Sequence, residues 1–139
     1  MGDRILMYNW KRVSKLTEEE IDDLCAKHSV VLPVDYRSSI GDINGGALLS
    51  AYIYVNGIGN VAYSRNISLA DDIRGNAFSL FDVLDGGSRK YFPFGDVGDG
   101  DYFCFDINNH RVVLYCHETQ EPVFVCNTFT ELLETITGE

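Results

Sequence analysis

The residues most able to carry chemistry are Asp96, Asp99 and Asp101, which alternate with glycines in the segment FPFGDVGDGDYFCFDI, residues 92–107. Three carboxylates this close together could bind a hard cation, act as acid and base, or attract a cationic partner. Glycines also allow a tight turn in which aspartates accept hydrogen bonds from nearby backbone N–H groups. We expect the segment to be first a turn that precedes a strand, and second an acidic patch for a partner.

Two chemical readings of this loop are less well supported. An EF-hand calcium loop requires acids at positions 1, 3 and 5 and a glutamate at position 12. Counted from Asp96, positions 3 and 5 are glycines and position 12 is Ile107, which leaves only other calcium geometries open. A hydrolase of the glycosidase type needs two carboxylates held rigidly across a cleft, which neighbours in a glycine-rich loop rarely provide. We therefore predict no catalytic residue, no metal and no cofactor.

Two cysteine–histidine pairs are further candidates for nucleophilic chemistry. Cys25 and His28 share a predicted helix face, and Cys116 adjoins His117. Neither pair has a recognisable third group to orient it, and consecutive strand residues point to opposite faces of a sheet. The chain contains no CxxC pair, so the cysteines are predicted to be reduced core thiols. They are Cys25, Cys104, Cys116 and Cys126.

The composition indicates a single acidic domain. The 139 residues are 45% hydrophobic, and 21 acidic residues against 11 basic ones give a net charge of −10. A nucleic-acid-binding protein needs a basic face, so this class is not expected. No apolar run approaches the roughly 20 residues of a membrane span, and no secretory signal is evident. We expect a cytoplasmic protein whose charge either attracts a cationic protein or only maintains solubility.

Capping patterns mark the helices that flank the loop. Thr17 and Glu20 form a capping box before a helix at 18–28, and Thr128 with Glu131 repeats the pattern before a final helix. A second helix at 33–43 ends at Asn44-Gly45-Gly46, where glycine adopts the left-handed conformation without strain. A short helix at 79–84 is also indicated. Residues 1–16 form a lead-in segment without a clear pattern.

The rest of the chain reads as strands joined by short polar turns. This arrangement is typical of an antiparallel meander, and the predicted class is α+β, with one domain over residues 1–139. The sheet has about five or six strands, with two N-terminal helices and one C-terminal helix. The tyrosines of these strands are either aromatic anchors for a partner or half-buried sheet residues: Tyr52, Tyr54, Tyr63, Tyr91 and Tyr102. The predicted strands are Ala51–Val55, Val61–Leu69, Lys90–Phe94, Tyr102–Ile107, Arg111–His117 and Pro122–Cys126.

The order of these motifs resembles the SUKH superfamily, which includes fungal cell-wall-assembly regulators and many bacterial immunity proteins. The resemblance extends over nearly the whole chain beyond Thr17, although residues 47–87 match only loosely. It is carried by TEEEI at 17–21, LPVDY at 32–36, NGG at 44–46, the aspartate–glycine loop, and Phe129-x-x-Leu132-Leu133.

The resemblance implies a sheet flanked by helices and no enzymatic activity. It further implies an antidote that binds a toxin domain, often a basic nuclease, delivered between competing cells. The alternative that it implies is a regulatory scaffold linked to cell-wall or glucan synthesis. For either role the candidate partner-binding residues are those of the acidic loop and its surroundings: Asp96, Asp99, Asp101, Tyr102 and Glu118.

Overall fold

A computed structural model describes residues 8–138 of the chain. Within this range there are four α-helices, one 3₁₀ turn and seven strands. No helix in the described range is long and apolar enough to cross a membrane. The helices are α1 (Glu18–Lys27), α2 (Val34–Ile43), α3 (Ala77–Val83) and α4 (Phe129–Thr135), and the 3₁₀ turn is Leu84–Gly87. The strands are β1 (Tyr52–Val55), β2 (Gly59–Ala62), β3 (Arg65–Asn66), β4 (Tyr91–Asp96), β5 (Tyr102–Asp106), β6 (Val112–Cys116) and β7 (Glu121–Cys126).

The strands form an antiparallel sheet in the order β3-β4-β5-β6-β7 and a separate hairpin of β1 with β2. The predicted α+β class and antiparallel meander are confirmed. In such a meander the β4–β5 and β6–β7 connections lie at the same end of the sheet, because successive antiparallel strands run in opposite directions. This topology brings the loop at residues 97–101 next to the turn at residues 117–120.

One predicted strand, Val61–Leu69, is divided between the two sheets. The backbone N–H of Tyr63 donates to Ala51 O at 2.9 Å, whereas the next N–H, that of Ser64, donates to Asp96 O at 2.8 Å. The chain therefore leaves the hairpin and joins the large sheet within two residues. A continuous apolar run cannot reveal such a change, because it depends on which distant strand supplies the hydrogen bonds.

The helix ends follow the predicted capping chemistry closely. Glu20 N–H donates to Thr17 Oγ1 at 3.1 Å, and Thr17 N–H donates to Glu20 Oε1 at 2.9 Å, which completes the capping box. At α4, Thr128 Oγ1 accepts from Glu131 N–H, but the Glu131 carboxylate reaches back to the Asn127 N–H instead of the cap residue. The helix α2 ends at Ile43, and Gly45, which follows the C-cap residue Asn44, has φ of 72°.

Aromatic side chains fill the core between the helices and one face of the large sheet. Phe94 and Phe105 stack with ring centroids 4.1 Å apart, and Tyr36 and Phe129 pack edge-on against them. The opposite face of the sheet carries a smaller buried cluster around Cys104, which Leu84 of the 3₁₀ turn partly covers. The sheet thus buries both faces, which explains why its strands are apolar at nearly every position.

The predicted lead-in segment is irregular over its described part, residues 8–16. Lys11 and Ala47 exchange two backbone hydrogen bonds of 2.8 Å, which fasten this segment to the chain that follows α2. Trp10 packs edge-on against Tyr63 with centroids 6.4 Å apart. Residues 1–7 of the predicted lead-in lie outside the described residues.

Candidate functional site

The aspartate loop, residues 97–101 between β4 and β5, is a turn stabilised by aspartate side chains. Asp96 Oδ1 accepts a hydrogen bond from Gly98 N–H at 2.9 Å, and Asp99 Oδ1 accepts one from Asp101 N–H at 3.4 Å. Gly98 and Gly100 have φ of 112° and 96°, in the region that favours glycine. The prediction that this segment is first of all a turn is confirmed.

Asp96 differs from Asp99 because an arginine holds its carboxylate. The Arg65 Nε lies 3.1 Å from Asp96 Oδ2, and the Asp96 side chain is only 19% exposed. The pairing follows from the sheet register, which places Arg65 of β3 opposite Asp96 of β4. Most of the Asp96 charge is therefore compensated within the chain, and its contribution to an acidic surface is small.

Asp101 connects the aspartate loop to the β6–β7 turn through His117. Asp101 Oδ1 lies 2.6 Å from His117 Nδ1 and also accepts the His117 backbone N–H at 2.9 Å. The hydrogen bond from Asp101 is the main cause that raises the pKa of His117 above its ordinary value, and the charges of Asp101, Glu118 and Asp99 add to it. Sequence reasoning considered His117 only as a partner of Cys116 and missed this contact.

Asp99 and Glu118 supply the uncompensated charge of the site. Both are exposed, and neither forms an ion pair with any residue in the range 8–138. Their carboxylates lie close enough to Cys116 to raise the pKa of its thiol, after the larger effect of burial and together with Asp101. Three of the predicted site residues, Asp99, Asp101 and Glu118, thus gather at one end of the sheet.

Tyr102 lies beside this group but faces the other side of the sheet. It begins β5, opposite Asp96 on β4 and Tyr115 on β6, and it is half-buried. A shallow hollow there has Tyr102, Tyr115 and His117 in its lining. Burial, followed by the charge of Asp96, raises the pKa of Tyr102. The five predicted residues therefore do not form a single surface.

A cleft between the β1–β2 hairpin and the aspartate loop is the main feature that sequence reasoning missed. We call it the hairpin cleft. Its volume is about 560 Å³. Tyr52 and Ile58 remain 41% and 49% exposed although they are large and apolar. The residues that shape it are Tyr52, Ile58, Ala62, Val97, Leu114, Asp99 and Asp101.

The tyrosines divide between the two roles considered for them. Tyr63 is fully buried, and its hydroxyl donates to Asn66 Oδ1 at 2.6 Å, so it is a core residue. Tyr52 and Tyr54 point outward from β1 and are 41% and 65% exposed. The three tyrosines Tyr52, Tyr54 and Tyr63 belong to similar apolar stretches. Only the alternation of inward and outward residues along strands of known register could have distinguished the exposed tyrosines from the buried one.

The two cysteine–histidine pairs have no catalytic geometry. Cys25 is buried, and His28 stacks on Phe78 with ring centroids 4.3 Å apart while Nε2 contacts Asp71 at 2.9 Å. Cys116 borders the hairpin cleft, whereas His117 borders the hollow at Tyr102 on the other face. All four cysteines are free, as predicted, with Cys25 and Cys104 buried and the others half-buried. No group of three or more His, Cys, Asp or Glu side chains suited to a metal occurs in residues 8–138.

Comparison with known proteins identifies one family. The model of the SMI1 / KNR4 family (SUKH-1) matches residues 15–135, which is nearly the full length of the chain and agrees with the predicted resemblance. No curated protein matches the sequence. Proteins of this family are generally immunity or regulatory proteins without catalytic activity.

Proposed function

The chain belongs to the SMI1/KNR4 family (SUKH-1), and from this membership we propose that it is an immunity protein that neutralises a toxin by binding it. The toxin is a basic domain of the nuclease type. A nuclease carries a cationic surface because it binds phosphates, and an acidic antidote attracts that surface and covers it. The chain itself performs no chemistry in this mechanism.

The observation that supports the proposal best is the acidic end of the large sheet. Asp99 and Glu118 are exposed there beside Asp101, and the whole chain has a net charge of −10. Charges of one sign on one surface accelerate association with a partner of opposite sign and exclude partners of like sign. The apolar hairpin cleft beside them offers the buried contact area that long-lived complexes require.

The same geometry argues against a hydrolase. Asp96 is engaged by Arg65 and by a backbone N–H, and Asp101 is engaged by His117 through two hydrogen bonds. A general acid or base must lie within hydrogen-bond reach of a substrate, and glycosidases in addition require a second carboxylate across the cleft. The carboxylates of Asp96 and Asp101 are thus occupied by contacts within the chain that maintain the turn and its ion pairs.

The proposal is tested by affinity capture of the tagged full-length chain from cells of its own source, followed by mass spectrometry. We expect a stoichiometric protein with a basic, nuclease-like domain. The purified pair is then tested for loss of nuclease activity at a one-to-one ratio. Retention of cell-wall or glucan-synthesis enzymes would favour the regulatory role of the fungal relatives, and a retained nuclease that stays fully active would contradict the proposal.

A further inference from the structure

We infer that the hairpin cleft receives an apolar side chain that is flanked by a lysine or arginine on the bound protein. This inference rests on the proposed function, because it specifies the segment of the partner that makes contact. The proposed occupant is a cationic segment of the bound protein.

The walls of the cleft are apolar and incompletely covered. Tyr52 and Ile58 on the hairpin are 41% and 49% exposed, and they face Val97 and Leu114 across the cleft. Exposed aromatic and aliphatic side chains around a concavity are the usual environment for the anchor residue of an interface. A volume of about 560 Å³ is large enough to hold one large apolar side chain together with the backbone that presents it.

The charge of the cleft selects the residues on either side of this anchor. Asp99 and Asp101 border the cleft, and no lysine or arginine is among its lining residues. Arg65 of β3 is engaged by Asp96. An apolar segment without a cation would leave Asp99 partly desolvated and unpaired, whereas a neighbouring lysine or arginine would compensate it.

The hairpin wall of the cleft is fixed before any partner arrives. Tyr52 and Thr137 exchange backbone hydrogen bonds of 2.9 Å in both directions, so the end of the chain holds β1 in place. Ile53 and Val55 on the inner side of β1 are fully buried. A preformed site loses little conformational entropy on binding, which favours it as the position of an energetically important contact.

A second copy of this chain is a poor occupant. Each copy carries a net charge of −10, and two acidic clefts brought together would repel each other. The charge therefore favours a cationic segment over a second copy as the occupant of the cleft.

The test uses three capped tripeptides as probes of the full-length, ¹⁵N-labelled chain: Lys-Trp-Lys, Lys-Gly-Lys and Glu-Trp-Glu. We expect saturable amide shifts at Ile58, Val97 and Asp99 with Lys-Trp-Lys alone, because only this probe carries both the anchor and the cations. Shifts confined to other surfaces, no shifts, or equal shifts with Glu-Trp-Glu would overturn the inference.

Two matched pairs of variants sharpen the test. Ile58→Ser and Asp99→Asn are expected to weaken Lys-Trp-Lys binding by roughly threefold or more each. Ile73→Ser removes an isoleucine of 50% exposure, and Asp72→Asn removes an exposed carboxylate, both away from the cleft. These controls are expected to leave the affinity unchanged, and equal losses in all four variants would overturn the inference.

The outcome is distinguishable from that of the proposed function. The tripeptides require no toxin, so a failed capture experiment leaves the cleft measurement interpretable. Conversely, a captured basic toxin that binds Ile58→Ser with unchanged affinity would overturn the cleft inference and leave the immunity function in place.

Discussion

The Oδ1 atom of Asp101 lies 2.6 Å from Nδ1 of His117 and 2.9 Å from the His117 backbone nitrogen. One carboxylate oxygen therefore joins the aspartate loop to the β6–β7 turn, across two strands of the sheet. Gly100 makes the approach possible, because a β-carbon there would lie 3.3 Å from the same imidazole nitrogen. The acidic end of the sheet is thus held by an ion pair that titrates.

The first prediction is that this ion pair makes stability depend on pH. The folded-state pKa of His117 is raised above its ordinary 6.5, chiefly by the hydrogen bond with Asp101 and further by the charges of Asp101, Glu118 and Asp99. Its stabilising contribution is complete below pH 6.5 and is lost as the pH rises through the folded-state pKa. Urea unfolding of the native chain and His117→Asn should show a difference in stability that shrinks as the pH rises above 6.5.

The control for this prediction is Asp101→Asn, followed by NMR titration of the His117 ring protons. Removal of the carboxylate should lower the midpoint of the titration toward the ordinary value. An unchanged midpoint, or a stability difference that grows as the pH rises, would contradict the assigned ion pair.

The second prediction concerns two buried tyrosines with different hydroxyl environments. The Tyr36 hydroxyl has no hydrogen-bond partner among the described residues, whereas the Tyr63 hydroxyl donates to Asn66 Oδ1 at 2.6 Å. Tyr36→Phe should leave the free energy of unfolding unchanged or raise it slightly, because it removes an unsatisfied polar group. Tyr63→Phe should lower it by about 1–3 kcal/mol, because Asn66 then loses its partner.

Chemical denaturation of both variants measures this contrast directly. Their side chains are equally buried and lose the same atom, so packing differences largely cancel. A loss at Tyr36→Phe as large as that at Tyr63→Phe would mean that the Tyr36 hydroxyl has a hydrogen-bond partner after all.

Local features of this fold could be predicted from the sequence, and features that join distant segments could not. The cap at Thr17 and the end of α2 before Asn44 and Gly45 depend on residues within one turn of the chain. The aspartate turn is equally local. By contrast, the Asp101–His117 contact depends on the register of β5 against β6.

The hairpin cleft was hidden for the same reason. Ile58 on the hairpin and Val97 before the aspartate loop are far apart in sequence, and they border one cleft only because the chain changes sheets at Tyr63. The predicted start of α3, residue 79, is also wrong, because the helix begins at Ala77. Asn76 is its cap and accepts the Ser79 N–H at 3.0 Å, and an isolated asparagine gave too weak a signal to place it.

The third prediction concerns Asn44, which is buried and connects three segments. Its amide donates to Ser14 O and Ser68 Oγ at 3.1 Å each, and its carbonyl oxygen accepts the Leu69 N–H at 2.8 Å. Asn44→Ala should lower the free energy of unfolding by about 2–4 kcal/mol, because it leaves a buried backbone donor unsatisfied. Asn60→Ala removes an exposed amide from β2 and should change it by less than about 0.5 kcal/mol. Thermal and urea unfolding measure both variants. If Asn44→Ala and Asn60→Ala destabilise the chain equally, the role of Asn44 is contradicted.

The last prediction separates binding from stability among the acids of the site. Glu118 is exposed and has no ion-pair partner within residues 8–138, whereas Asp96 is held by Arg65 at 3.1 Å. Glu118→Gln should slow association with the captured basic partner by roughly twofold to tenfold at low salt, and the difference should largely vanish near 0.5 M salt because the charges are screened.

Asp96→Asn should instead lower the free energy of unfolding by about 1 kcal/mol, since it weakens the ion pair and the acceptor for Gly98 N–H. Stopped-flow association at several ionic strengths, with Asp72→Asn as the charge-matched control, measures the first effect, and urea unfolding measures the second. If Asp72→Asn slows association as much as Glu118→Gln, the attraction arises from net charge and not from the acidic end of the sheet.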